Sequence, residues 1–411
     1  MSSSHLLEEY RKLLTKSDSK IVLMIMDGVG GIRTRERPRT ELELAHTPNL
    51  DALARVSALG RQRPAATGIT PGSGPGHLGV FGYDPMEPAH EIGRGVLEAL
   101  GIDFALKPSD VAARANFCTL GADGTISDRR AGRIPTDEST RICKKMQDAV
   151  RLPIEDVEVL VLPVKEYRFC VVLRGEGLSG RLPDTDPQKT GVKPLEIRGL
   201  DDQPDTRKTV RVFQIAAAKM LGAIKGEPKA NGFTLRGIAK DPGLSSFQER
   251  WGLKGCAVAS YPLYRGVAKL LGMDVLKVGS EIVDEFDLLQ EVYGKYDFYF
   301  IHIKKTDSYG EDGNPEGRIK IIEEVDKNLP KLTKLNPTVI VITGDHSTPP
   351  AMKAHSWHPV PLLIHSAICD IDAGERFTEA ECDKGTLGIV HSMEIMPLAL
   401  ANAGRLQKFG A

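Results

Sequence analysis

The sequence predicts an α/β protein: a mostly parallel sheet with helices on both faces, plus an inserted α+β domain. Three observations carry this. Thr338-Val-Ile-Val-Ile-Thr-Gly-Asp345-His346 is an unbroken β-branched run that stops on Gly, Asp and His, the signature of a parallel strand buried on both faces. Lys20-Ile-Val-Leu-Met-Ile-Met-Asp27 and Tyr296-Asp-Phe-Tyr-Phe-Ile-His-Ile-Lys-Lys-Thr-Asp307 repeat the pattern far away in the chain. From about 107 to about 254 the texture shifts to Asp, Arg and Gly with short strands, and the strand-then-acid pattern resumes only near Asp297, which marks an insertion. The expected organisation is therefore an N-terminal extension (1–19), a core built from 20–106 and 255–411, and an inserted domain (107–254).

In chain order, Leu6-Leu7-Glu-Glu-Tyr10-Arg-Lys-Leu13-Leu14 has the spacing of a short amphipathic helix. After the first strand, Thr47-Pro-Asn-Leu-Asp51-Ala-Leu-Ala54 offers a cap residue and a proline in the first turn. Gly68-Ile-Thr-Pro-Gly-Ser73-Gly-Pro-Gly-His77 is dense in glycine, so backbone N–H groups can approach an anion closely, and a helix starting there adds its positive end. A serine in that setting is a candidate nucleophile toward phosphorus; taken alone it is as well explained by a tight turn and a helix cap.

Within the insert, Asn116, Asp128-Arg129-Arg130-Ala-Gly-Arg133, Arg168, Arg174 and Asp184-Thr-Asp-Pro-Gln-Lys189 stand out. Arginine forks match phosphate and carboxylate oxygens bidentately, whereas isolated charge clusters are usually solvated surface. Back in the core, Val267–Met273 reads as helix, Asp274–Val278 as strand and the region from Glu316 to Asp326 as a charged helix. His355 and His358 precede another buried strand, and Met393–Gly404 is an amphipathic C-terminal helix.

Strands of one parallel sheet deliver their carboxyl ends to one edge, so Asp27, Asp307, Asp345 and His346 are expected to converge there. A lone strand-end Asp is more often a cap or turn former; the joint occurrence of such acids, Asp-His, a downstream His and a Gly-flanked Ser points to a metal and serine site. Carboxylate and imidazole ligands without thiolates suit Mg²⁺, Mn²⁺, Co²⁺ or Zn²⁺. Two such ions about 4 Å apart activate an oxygen nucleophile and steady a transferring phosphoryl group.

Composition narrows the partners. At 411 residues, 41% hydrophobic and 27% charged, the chain has ordinary globular values. A net charge of −1 offers no basic field for nucleic acid or an anionic membrane, so a small molecule is the expected partner. The six cysteines are scattered without a Cys-x-x-Cys pair; they read as small core residues in a reducing compartment. With no signal-peptide pattern and no apolar stretch of spanning length, the expected location is the cytoplasm.

The chain also resembles a known family, the archaeal-type cofactor-independent phosphoglycerate mutases of the alkaline phosphatase superfamily. The matching text includes Met26-Asp-Gly, Thr47-Pro-Asn-Leu-Asp, Pro71-Gly-Ser-Gly-Pro-Gly-His-Leu, Phe81-Gly-Tyr-Asp-Pro, Asp128-Arg-Arg-Ala-Gly-Arg, Asp184-Thr-Asp-Pro, His302-Ile-Lys-Lys-Thr-Asp, Gly344-Asp-His-Ser-Thr-Pro, His355-Ser and the ending Leu406-Gln-Lys-Phe-Gly-Ala. The resemblance implies an alkaline-phosphatase-like core with two divalent ions. It puts Asp27, Ser73, Asp345 and His346 around one ion and Asp307 and His355 at the other. It further implies that Ser73 is phosphorylated by 3-phosphoglycerate, that glycerate reorients while trapped, and that the phosphoryl group returns to the 2-hydroxyl. The insert would carry the substrate-binding residues Asn116, Arg129, Arg130, Arg133, Arg168 and Arg174, and Asp128 as candidate acid and base, and would close to exclude water.

One departure matters: where the family usually has His four residues after the Lys-x-Thr-Asp acid, this chain has Glu311. A carboxylate ligand adds negative charge and favours Mn²⁺ or Mg²⁺, with Co²⁺ and Zn²⁺ as alternatives. Gln188, where the family often has His, is a second departure. Competing expectations are a phosphomonoesterase or phosphodiesterase of the same superfamily, against which the Arg-rich insert speaks, and a catalytically silent homologue. A sulfatase lacks support because Ser73 has no Ser-x-Pro-x-Arg context, and a cofactor-dependent mutase because no Arg-His-Gly occurs.

Overall fold

Alternation along the strands decides how the core is layered. In strand Phe298–Ile303, Tyr299, Ile301 and Ile303 pack with helices Ile282–Val292 and Pro315–Thr333. Phe298, Phe300 and His302 point the other way, toward Phe81, Phe247 and His77. Both faces are thus covered, which is why this strand reads as continuously apolar. The computed structural model describes residues 3–371 and 373–410. Two residues of the expected N-terminal extension and Ala411 of the quoted ending lie outside them.

The chain forms two compact units, one running up to Glu91 and from Ser245 onward, the other Ile92–Leu244. The larger unit holds an eight-stranded sheet in the order Gly388–His391, Ala58–Arg63, Val360–Ser366, Val339–Thr343, Ile21–Met26, Phe298–Ile303, Gly255–Ala259, Asp274–Val275. Ile21–Met26 sits between the other two strands that open the sequence argument and is parallel to both. Only Val360–Ser366 runs against the rest, pairing antiparallel on both sides. The expected α/β class and mostly parallel sheet are what the chain adopts.

The smaller unit contains a separate five-stranded sheet in which Val111–Leu120 pairs antiparallel with Ile126–Asp128, Arg168–Arg174 and Gly232–Ala239, and Glu158–Lys165 pairs with Arg168–Arg174. Helices Thr136–Ala149 and Pro204–Ile224 pack their apolar sides against it.

This unit begins at Ile92, ahead of the expected boundary near 107. The reason is helix Arg94–Gly101, whose Gly95 lies so close to the strand below that a Cβ there would sit 2.2 Å from Ala112 O. At the other junction, Arg250 and Trp251 donate to the carbonyls of Gly82 and Phe81, so their helix Phe247–Trp251 belongs to the core although the expected insert ended at 254.

Of the remaining expected elements, the N-terminal helix is present at Ser3–Leu13 and is tied to the C-terminal segment through Gln407 N–H to Leu13 O, 2.8 Å. All six cysteines are free and five are buried. No described helix is long and apolar enough to cross a membrane.

Candidate metal centre

Sheet direction brings the acids together. Residues Met26 and Ile303 are register partners, and Ile25 pairs with Thr343, so the turns carrying Asp27, Asp307 and Asp345-His346 leave the sheet at one level. Because Val360–Ser366 is antiparallel, the segment before it, with His355, arrives at that same edge. Helix Ser73–Val80 begins there as well, with Ser73 as its first residue. Glycine makes the closeness feasible: a Cβ at Gly76 would lie 2.4 Å from Asp345 O.

Two overlapping groups result, Asp27, Asp345 and His346, and Asp307, His346 and His355, each with ligand atoms within 4.8 Å of one another. His346 Nε2 is 3.1 Å from Asp345 Oδ2 and 3.4 Å from Asp27 Oδ1. His355 Nε2 is 3.6 Å from Asp307 Oδ1, and the His346 and His355 rings stack with centroids 3.6 Å apart. Ser73 Oγ lies 3.4 Å from His346 Nε2. His346 therefore belongs to both groups, where the resemblance assigned it to one.

The site also contains residues that the sequence reading had not singled out as functional. Lys304 Nζ lies 3.0 Å from Asp27 Oδ2 and 2.5 Å from Asp307 Oδ2, joining the two groups. The Tyr264 hydroxyl donates to Asp27 Oδ2, and Lys304 donates to Tyr264 at 3.0 Å. His77 Nδ1 is 3.1 Å from Asp345 Oδ2 and 2.8 Å from Ser73 O. The Thr348 hydroxyl donates to Asp307 Oδ1 at 2.6 Å and lies 3.0 Å from His346 Nδ1. One signal was available for His77, which follows Ser73 by one helical turn. Tyr264 had none, because its helix is distant in sequence from every acid of the site.

Burial and charge compete throughout. Burial raises the Asp27 carboxyl, but Lys304, His302 and His346 outweigh it and hold it well below the usual carboxylate range. Asp345, pushed up by burial and by Asp27, is held low by His346 and His77. Burial pushes His302 down to about 4, so its imidazole is neutral. Lys304 is lowered by burial and raised further by Asp27, Tyr264 and Asp307, so it stays charged.

A divalent cation fits these residues. Asp27 Oδ1 and Asp345 Oδ2 are buried carboxylate oxygens without a hydrogen-bond donor, a costly condition unless a cation meets them. The donor set is carboxylate and imidazole with no thiolate. Glu311 stands at the margin: its Oε1 is 3.7 Å from His355 Nε2, but more than half of its side chain is exposed and it is outside both tight groups.

The remaining expected site residues are in the smaller unit. Asp128 accepts from the N–H groups of Arg130 (2.8 Å) and Gly132 (2.6 Å), holding a turn in which Ala131, Gly132 and Arg133 all have positive φ. Arg130 and Arg133 are exposed and make no ion pair among the described residues. Arg129 is engaged with Asp186 at 2.8 Å. Asn116 is buried on strand Val111–Leu120 with its Oδ1 unpartnered, and Arg168, on the paired strand, lies over the Tyr167 ring. Arg174, also expected to bind substrate, has its guanidinium bound to Asp110 at 2.7 Å and to Ala105 O, and covers the Phe104 ring, all within its own unit.

Comparison with known proteins agrees with this chemistry. Residues 19–402 match the Metalloenzyme superfamily. A protein of Aquifex aeolicus named as a probable 2,3-bisphosphoglycerate-independent phosphoglycerate mutase is 49% identical over 408 residues, covering 97% of this chain and 99% of its own. One of the same name from Thermus thermophilus is 48% identical, covering 98% of each. Among solved structures, a protein from Pyrococcus horikoshii superposes with a TM-score of 0.82 at 29% identity, covering 96% of this chain and 99% of that one. A cofactor-independent phosphoglycerate mutase from Thermoplasma acidophilum gives 0.69 at 29% identity over 94% of this chain and 100% of its own.

Proposed function

Since the chain belongs to the Metalloenzyme superfamily and, within it, to the 2,3-bisphosphoglycerate-independent phosphoglycerate mutases, we propose that it interconverts 3-phosphoglycerate and 2-phosphoglycerate through a phosphoserine at Ser73, with two divalent ions at the sheet edge. The observation that carries the chemical part is the nearness of Ser73 Oγ to His346, the imidazole shared by both acidic groups. Divalent ions in this donor set supply positive charge against the phosphoryl oxygens and acidify a neighbouring hydroxyl. Asp27, Ser73, Asp345 and His346 would hold one, and Asp307 and His355 the other, with Glu311 as an additional carboxylate and the single free imidazole nitrogen of His346, Nε2, committed to the first ion. Glu311 makes Mn²⁺ or Mg²⁺ the favoured ions, with Co²⁺ and Zn²⁺ as alternatives.

In the forward direction Ser73 Oγ gives up its proton and forms a bond to phosphorus as the bond to the 3-oxygen of glycerate breaks, and that oxygen takes up a proton. The N–H groups of the first turn of Ser73–Val80 face the anion. Glycerate then turns, its 2-oxygen attacks phosphorus while losing its proton, the Ser73 Oγ–P bond breaks, and Ser73 Oγ takes its proton back. Arg130 and Arg133 bind the anionic ends of the substrate, with Arg129, Arg168 and Asn116 in support, and the lone pairs of Asp128 not taken by its turn carry the protons. Water must be kept from the phosphoserine, or the enzyme becomes a phosphatase. These roles are consistent with a cytoplasmic enzyme of glycolysis and gluconeogenesis.

The deciding experiment incubates metal-loaded protein with 3-phosphoglycerate in the absence of bisphosphoglycerate and follows 2-phosphoglycerate and free phosphate together. Formation of 2-phosphoglycerate without phosphate is the expected result. Phosphate alone would make the protein a hydrolase, and no product with Mn²⁺, Mg²⁺, Co²⁺ or Zn²⁺ would make it a silent homologue.

A further inference from the structure

The two loops that carry Asp27 and His346 meet on one fully buried cation. Arg318, on helix Pro315–Thr333, has no exposed surface. Its Nη1 donates to Thr348 O at 2.9 Å and to Glu41 Oε2 at 3.2 Å. Its Nη2 donates to Gly30 O at 3.2 Å and to Gly28 O. Three inward-pointing carbonyls, two following Asp27 and one following His346, thus converge on a single planar fork. The backbone repeats the link, since Thr348 N–H reaches Gly28 O at 3.0 Å and Gly30 O at 3.2 Å. Thr348 extends it to both groups through its hydroxyl, which meets Asp307 and His346. There is no slack: a Cβ on Gly28 would lie 2.5 Å from Thr348 Oγ1.

We infer that Arg318 is a positioning residue of the metal centre, fixing the separation of the Asp27 loop from the His346–Thr348 loop and, through Thr348, the placement of Asp307. The inference rests on the metal reading above and assigns no ligand role to Arg318. A rigid five-donor fork is suited to several carbonyls at fixed angles, whereas a lysine offers one point of charge. The competing view is that Arg318 merely neutralises the buried Glu41, with which it makes an ion pair at 3.2 Å. The two views differ over Glu41→Gln, which discharges the ion pair but leaves all three carbonyl bonds in place.

The test is calorimetric titration of the metal-free protein with Co²⁺, together with the visible absorption of the saturated protein, for wild type, R318M, R318K and E41Q. Outer contacts of metal ligands typically change affinity by about 10 to 100-fold. That loss is expected for R318M, with an altered absorption band at saturation; R318K should fall between, and E41Q should match wild type in both readouts. Wild-type affinity and an unchanged band in R318M overturn the inference, as does an equal loss in E41Q. Should R318M fail to fold, wild-type behaviour of R318K overturns it. If wild type itself takes up no Co²⁺, the metal reading fails and this inference with it; if wild type binds Co²⁺ and the R318 variants match it, this inference alone fails.

Discussion

Ser73 Oγ lies 3.4 Å from His346 Nε2, although the two residues are 273 positions apart in the chain. This contact joins the start of a glycine-rich helix to the end of a buried strand. On the proposed mechanism a hydroxyl so placed meets the phosphoryl group, and the adjacent imidazole and carboxylates would hold a divalent ion beside it. Ser73→Ala should therefore lower turnover by on the order of 10³-fold or more, with Mn²⁺ binding reduced far less. Acid-quenched wild type given radiolabelled 3-phosphoglycerate should retain label on protein and the variant none; retained label in the variant would sink the nucleophile assignment.

Glu311 supplies a carboxylate near His355, at the edge of the second group. An imidazole there would remove a negative charge and soften the donor set. Glu311→His should shift preference toward Zn²⁺ and Co²⁺ relative to Mn²⁺ by about tenfold or more, as read by competition between ions and metal analysis. Equal ion content and equal affinity in both proteins would refute the idea.

Arg130 and Arg133 present charge from a turn held by Asp128, with no internal partner among the described residues. A hydrogen bond to a charged group contributes about 1.5 to 3 kcal/mol. Arg130→Ala and Arg133→Ala should each raise KM for phosphoglycerate by about 10 to 100-fold while metal affinity stays at the wild-type level. Arg174→Ala should instead lower the melting temperature, because it strips the buried Asp110 of its ion pair. A KM effect in Arg174→Ala without loss of stability would reverse the assignment.

Glu285 is a buried carboxyl outside the metal site, and its Oε1 accepts from Ser260 Oγ at 3.1 Å. Burial pushes it from the ordinary 4.5 up to about 8, against smaller opposing effects of Ser260 and Lys305. Between those values the folded chain keeps a proton that the unfolded chain has lost. The resulting stability is complete below pH 4.5 and disappears as pH rises through 8. Urea unfolding should show wild type losing stability, by at most a few kcal/mol, from pH 5 to pH 9. Glu285→Gln should flatten that slope; an identical slope in both proteins would rule out Glu285 as its source.

Much of the centre was legible before folding, because strand-end acids, an Asp-His pair and a Gly-flanked Ser are local patterns with a shared direction rule. Asp27, Asp307, Asp345, His346, His355 and Ser73 all reach one sheet edge for that reason. Lys304 was hidden in plain view inside the Lys-Lys-Thr-Asp motif: nothing local distinguishes it from Lys305, which is half exposed beside Glu281. Arg174 is the opposite case. Its type suited an anionic ligand, but Asp110, 64 residues away, takes its fork.

Neighbouring residues alone carry the fold class, the parallel direction of the central strands and the candidate ligands at their carboxyl ends, since period and burial are local patterns. Packing alone reveals that Lys304 bridges the carboxylates, that His346 lies within both groups, that helix Arg94–Gly101 joins the smaller sheet, and that Arg318 gathers three carbonyls. Each of these depends on close approach between segments far apart in the chain, set by glycine clearances and by the need to satisfy buried polar groups, and such distances exist only once the chain is packed.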